Sequence, residues 1–548
     1  MKRHRLLMPL IAVVMLAVAL PAGQATEPAN LDAIYQIKDE GFERSQVMEV
    51  LSYLTDVHGP RLTNSPNIKA ASKWTMAKMN DWGLTNVRQE SWGPFGRGWS
   101  NEKVYLQATA PQKYPIIGLP KAWTPGTDGL VSGEAVIAVI ASAKDMETYR
   151  GKLHGKFVLT APVQPVAASV APLSSRYDEK TLEEISRQPP PAPPGRRGGP
   201  PPAGGPAVPG TPSPQQELNR QRTEFFVKEG ILATLEPSRG VNGGTIFVLG
   251  PAPTGTTGPA NGMGFRDPKA PKTFPQMVIA AEHYNRIMRT LQKNVPVKLE
   301  MNVENTFYDD DLNAFNIVGE LRGTDLAGEI VMLGAHFDSW HGGTGATDNA
   351  AGSAVMLEAM RILKATGLKM RRTVRLALWT GEEQGLLGSR AYVKEHFGDR
   401  RTMALKPDHA KLSAYFNVDN GTGAIRGVYL QRNEAAAPIF QAWMEPFRNI
   451  GMTTLSIRNT GGTDHLAFDE VGLPGFQFIQ DAVEYDTRTH HSNMDVYDRI
   501  QPSDMIQNAV IVASFVYNTA NREQKLPRKP LPKPQPPPAP ASTPSPTP

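Results

Sequence analysis

The chain has 548 residues, 58 Lys and Arg against 53 Asp and Glu, a formal net charge of +5 and no cysteine. That length exceeds what one hydrophobic core usually organises, so a main unit with an inserted or appended one is expected. The lack of Cys excludes disulfide scaffolds, thiolate metal sites and thiol nucleophiles. The basic residues are dispersed rather than set in an aromatic-interleaved stripe, which gives nucleic-acid binding no support.

Taken in chain order, residues 1–25 read as a cleavable export signal: Lys2, Arg3 and Arg5, an apolar run over 6–20, then the small residues Gly23 and Ala25, with cleavage after Ala25. The run is too short to span a bilayer and contains Pro9, so the mature chain is expected to have no stable membrane insertion and to be periplasmic or secreted. Residues 26–115 form the N-terminal part of the main unit, with helical spacing at Val47, Val50, Leu51 and Leu54. Residues 116–280 read as a β-rich insertion, with strands expected within 134–140 and 151–159 and a resumption over 225–249. It is interrupted at 189–214 by a run of Pro, Gly and Ala too poor in large apolar groups to fold.

From 281 to 522 strands alternate with helices: strands at 329–333, 373–379, 412–418 and 475–479, helices at 350–364, 385–396, 435–450 and 502–518. Such alternation predicts a three-layer α/β/α unit on a mostly parallel mixed sheet, with ligands gathered beyond the carboxyl ends of the strands. The Pro-rich stretch 523–548 is expected to be a disordered tail.

Acids and imidazoles stand directly after the apolar runs. They are His336 and Asp338, then Asp348, then Glu382 and Glu383, then Asp419, and finally His490, His491 and Asp495. A single His after a strand is usually structural and a Glu pair is usually a solvated turn, so the argument rests on the ordered set. Two imidazoles with several carboxylates and no thiolate suit zinc, and so few groups hold two ions only if one carboxylate bridges. Two ions about 3.5–4 Å apart polarise a carbonyl and generate a nucleophile from water near neutral pH.

Over residues 305–518 these motifs resemble the zinc exopeptidase family that includes the bacterial leucyl aminopeptidases, glutamate carboxypeptidase II and plasma glutamate carboxypeptidase, also called carboxypeptidase Q. The resemblance implies two zinc ions held by His336, Asp348, Glu383, Asp419 and His491, with Asp348 bridging. It makes Glu382 the general base and Asp338 the carboxylate that orients His336. The family spacing selects His491 over His490, and Asp495 supports its loop. The loop 461–465 resembles a segment near the substrate in relatives; it offers His465 as a substrate contact, against the plainer reading that Asp464 caps a helix. The β-rich insertion resembles a protease-associated domain, although its Pro-rich interruption departs from that pattern.

The implied function is an exported exopeptidase, an aminopeptidase or dipeptidase, acting on the ends of peptides or on dipeptides through a two-metal-activated water. The alternatives are a single-zinc glutaminyl cyclase and a non-catalytic binding protein on a peptidase scaffold; the complete ligand set opposes both. A serine hydrolase is excluded because no Gly-x-Ser-x-Gly elbow is present.

Overall fold

The computed structural model describes residues 29–187, 213–239, 243–252 and 263–534. The expected export signal, residues 189–212 of the Pro-rich loop and residues 535–548 of the tail lie outside them.

The catalytic half is a mixed eight-stranded sheet in the order Thr85–Trp92, Ala314–Leu321, Arg372–Trp379, Leu326–His336, Leu412–Asn417, Gly475–Gln480, Ile425–Tyr429, Thr454–Ser456. Its four central strands, Arg372–Trp379 to Gly475–Gln480, are mutually parallel, and antiparallel pairs flank them. The alternating pleat explains the two helical layers. In Leu326–His336, Val331, Leu333 and Ala335 join one core, packed under helices Leu31–Glu43, Ala351–Ala365 and Pro502–Asn521. Ile330 and Met332 face the opposite core, with Tyr392 and Val393 of helix Leu387–His396 and Phe468 of helix His465–Asp469. The three-layer α/β/α expectation therefore holds.

A second eight-stranded sheet runs Tyr114–Pro115, Gly98–Ala110, Lys298–Tyr308, Val131–Ile137, Phe157–Leu159, Ala233–Pro237, Gln276–Ile279, Gly118–Pro120. It is wider than residues 116–280, because the long antiparallel pair Gly98–Ala110 and Lys298–Tyr308 belongs to it. The stretch after the Pro-rich run begins as helix Pro214–Glu229, not as strand; Ser213 Oγ accepts from the Gln216 amide and the Gln216 side chain accepts from the Ser213 amide, a capping box, and Phe225 and Phe226 are buried.

Two tethers join the halves. Ser175 pairs with Val483, Arg176 forms ion pairs with Asp504 at 2.7 Å and Asp481 at 3.2 Å, and Ser456 Oγ donates to the Ile185 carbonyl of helix Glu179–Arg187. Phe247 bridges Ser492, and the Ile246 and Val248 amides donate to Asn493 Oδ1 and the His491 carbonyl.

Residues 523–534, read from their composition as the start of an unpacked tail, are instead docked. Leu526 is buried, Arg528 donates to the His409 and Leu412 carbonyls, and Lys529 pairs with Asp469. The basic residues between the prolines find carbonyl and carboxylate acceptors on the main unit, which composition alone does not reveal.

Candidate metal centre

Three neighbouring parallel strands end together, and their register brings the acids to one edge. His336 stands opposite Trp379, three residues before Glu382, and Gly334 stands opposite Asn417, two residues before Asp419. Asp348 lies in the turn that leads into helix Ala351–Ala365. That turn is fixed by Asn349, whose side chain accepts from the Gly352 amide at 2.9 Å and donates to the Val418 carbonyl at 2.9 Å. His490 and His491 arrive on the loop after Gly475–Gln480.

Two groups result that share one residue. His336, Asp348 and Asp419 form the first, and Asp348, His490 and His491 the second; within each, the potential ligand atoms all lie within 4.8 Å of one another. His336 Nε2 is 3.1 Å from Asp348 Oδ1 and 3.6 Å from Asp419 Oδ1. His491 Nε2 is 3.2 Å from Asp348 Oδ2 and 3.0 Å from Glu383 Oε2, whereas His490 Nε2 is 3.7 Å from Asp348 Oδ2 and its ring stacks on Tyr485. His491 is thus the imidazole set between two acids.

The donor chemistry fits a cation. His336 Nδ1 lies 3.0 Å from the Asp338 carbonyl, which only accepts, so Nδ1 carries the proton and the Nε2 lone pair points into the cluster. The Asp338 carboxylate is more distant from Nδ1, at 3.6 Å; it accepts instead from Thr63 Oγ1 and the Glu382 amide, so its orienting contact runs mainly through its own carbonyl. His336 Nε2, Asp348 Oδ2 and Glu383 Oε1 are buried and make no aligned hydrogen bond, which is costly for polar atoms unless an ion completes them.

Protons respond to the same geometry. Burial lowers the His491 basicity, but Glu383 and Asp348 overcome it and raise its pKa to about 10. Burial, reinforced by Asp348, raises Glu383 to about 7. Burial also lifts Glu382 well above the usual carboxylate range, opposed by His336 and helped by Asp464 and Asp419. Asp348 is held well below that range, because His336 and His491 outweigh its burial.

Residues 316–516 match the profile of peptidase family M28. Mouse (Mus musculus) carboxypeptidase Q is 27% identical over 497 residues, covering 90% of each chain. These matches support the zinc exopeptidase family. The chain is therefore a metallopeptidase, a hydrolase of peptide bonds. Among solved structures, a peptidase M28 precursor from Shewanella amazonensis has the same fold at 22% identity and TM-score 0.62, over 92% of this chain and 98% of that one. A zinc aminopeptidase from Bacillus subtilis is similar at 18% identity and TM-score 0.51, over 88% and 95%.

All the sequence-predicted family residues except His465 gather at this edge. His465 is fully buried, its Nε2 beside Gln431 and 3.2 Å from the Thr460 carbonyl, so it offers no edge to a substrate. Its neighbour Asp464 does not cap helix His465–Asp469; burial, opposed by His336, pushes its carboxyl up to about 7. Only folding shows which residue of this loop couples to the cluster. Two further residues escaped the sequence reading. Arg61, fully buried, donates to the Phe337, Thr344 and Gly345 carbonyls and so holds the loop between His336 and Asp348. The Trp340 ring stands 6.2 Å from His491 and 5.9 Å from Trp123, forming a wall between the centre and the second sheet. Asp495 supports the Asp348 turn by accepting from the Thr347 and Thr344 amides.

Proposed function

We propose that the chain is an exported two-zinc exopeptidase that releases the first residue of dipeptides or short peptides. The observation that carries this reading is the sharing of Asp348 between the two ligand groups. Together with the 3.0 Å approach of Glu383 to His491, it supports one ion that would sit on His336 and Asp419 and a second that would sit on His491 and Glu383, with Asp348 shared. Zinc is the choice because imidazole and carboxylate donors without thiolate suit it, and because the similar Bacillus subtilis aminopeptidase is a zinc enzyme.

When bound, the zinc ions polarise the scissile carbonyl and lower the pKa of water. Glu382, whose amide donates to the Asp338 carboxylate beside the cluster, takes the proton of the attacking water at a carboxylate oxygen and returns it to the leaving amine. Burial raises its proton affinity, which favours its taking that proton. Trp340 and the buried rim of the centre limit water around the reacting carbonyl, which strengthens these electrostatic interactions. A second group of ligands around Asp348 is superfluous for a single-zinc cyclase, and an intact donor set is superfluous for a scaffold that only binds.

The test is elemental analysis of the purified protein alongside hydrolysis of aminoacyl chromogenic substrates and unblocked dipeptides, with and without a chelator. About two zinc ions per chain and chelator-sensitive release of free amino acid are expected. About one zinc with cyclisation of N-terminal glutamine would replace the reading with the cyclase, and a protein that neither binds metal nor hydrolyses would leave the binding scaffold.

A further inference from the structure

Arg239 follows strand Ala233–Pro237 of the second sheet, close in sequence to the segment that bridges the loop carrying His491. Its guanidinium lies 4.7 Å over the Phe247 ring, and Phe247 bridges Ser492, the residue after His491. Both ends of this arrangement are fixed. The buried Ser238 hydroxyl donates to the Thr245 carbonyl and accepts from the Phe247 amide, while the Val248 amide donates to the His491 carbonyl. Among the described residues no carboxylate lies within ion-pair distance of Arg239, and burial is the only influence on its proton affinity. Its charge nevertheless reaches the site, since it is among the groups that act on His490.

An arginine stacked on an aromatic face keeps its planar N–H edge free, and that edge matches a carboxylate in a two-bond fork. We infer that Arg239 is a specificity-determining residue that receives the free α-carboxylate of the leaving residue, making the enzyme a dipeptidase rather than a general aminopeptidase. The inference rests on the exopeptidase reading above and sharpens it: the second sheet supplies the group that measures substrate length.

The experiment uses the full-length zinc-loaded protein, its Arg239→Gln and Arg239→Lys variants, and three substrates sharing one N-terminal residue: Ala-Leu, Ala-Leu-amide and alanine p-nitroanilide. The wild type should favour Ala-Leu over its amide in kcat/KM by roughly tenfold to a hundredfold, the range of a charge-assisted fork. R239Q should lose that preference through KM, keep its zinc content and hydrolyse the anilide at the wild-type rate; R239K should retain part of the preference. Calorimetric binding of leucine against leucinamide gives a readout independent of turnover, with a preference for leucine that R239Q abolishes. Equal handling of acid and amide by the wild type, or an unchanged preference in R239Q, would overturn the role of Arg239 and leave the exopeptidase reading standing. Absence of chelator-sensitive hydrolysis of all three substrates would instead sink the exopeptidase reading and this inference with it.

Discussion

The sharpest chemical division at the site is between adjacent residues. Glu383 Oε2 lies 3.0 Å from His491 Nε2, whereas among the described residues Glu382 forms no such pair with an imidazole, so the Glu382→Gln variant should keep its metal and lose turnover. A fall in kcat of roughly a thousandfold, with zinc content unchanged by elemental analysis, is expected for loss of a general base; full activity in that variant would remove Glu382 from the mechanism. The two histidines divide in the same way. His491→Ala should release metal, because its Nε2 stands between Asp348 and Glu383, whereas His490→Ala, whose ring rests on Tyr485, should retain it. Equal zinc loss in both would mean that His490 is a ligand. Residues of this kind were legible in the sequence because each follows an apolar run that becomes a strand of the central sheet. Asp464 and Arg61 were not. Arg61 is 276 positions from Phe337, and its work is done by carbonyls that it meets only after folding.

At the scale of elements, the loop between His336 and Asp348 is gripped at several of its carbonyls by that guanidinium. Arg61 is fully buried and donates to four carbonyls, those of Leu54, Phe337, Thr344 and Gly345. Replacing it with Met would fill the volume and leave those acceptors unsatisfied, at about 1 to 3 kcal/mol each before relaxation. Arg61→Met should lower stability by about 3 kcal/mol or more, measured as the urea midpoint, and weaken zinc binding; an unchanged midpoint would mean that the loop holds itself. Alternation of strand and helix was readable after residue 305 because each strand is a short buried run bounded by turn residues. The second sheet was read too narrowly because Gly98–Ala110 and Lys298–Tyr308 pair across nearly the whole insertion. Helix Pro214–Glu229 was hidden by its own first residues: the Ser213 to Gln216 capping box merges with the Pro-rich run, so a start signal looked like more of the low-complexity segment.

Across the whole molecule, the second sheet reaches the catalytic half through Arg176 on Asp481 and Asp504 and through Phe247 on Ser492, so the loop carrying His491 is held from both halves. The charge state of that loop should therefore be read out by global stability. A group whose pKa is raised on folding contributes stability that is present below its unfolded value and lost as pH rises through the folded one. His491 rises from 6.5 to about 10 and Glu383 from 4.5 to about 7, so the ion-free protein loses their contributions as pH increases. His341, His465 and His490 are lowered by burial to about 4; their contributions appear as pH rises from there and are complete above 6.5. Between pH 7 and 10, then, the proton on His491 is still being lost, and His336, which its neighbouring carboxylates also hold well above 6.5, acts in the same direction. Zinc must displace that proton to bind, so its affinity increases over the same interval. The melting temperature of chelator-treated protein should fall from pH 7 to 10, and the gap to the zinc-loaded protein should widen by roughly 3 °C or more. A gap that stays constant across this range would mean that His491 carries no such proton, and would undercut its placement between Asp348 and Glu383.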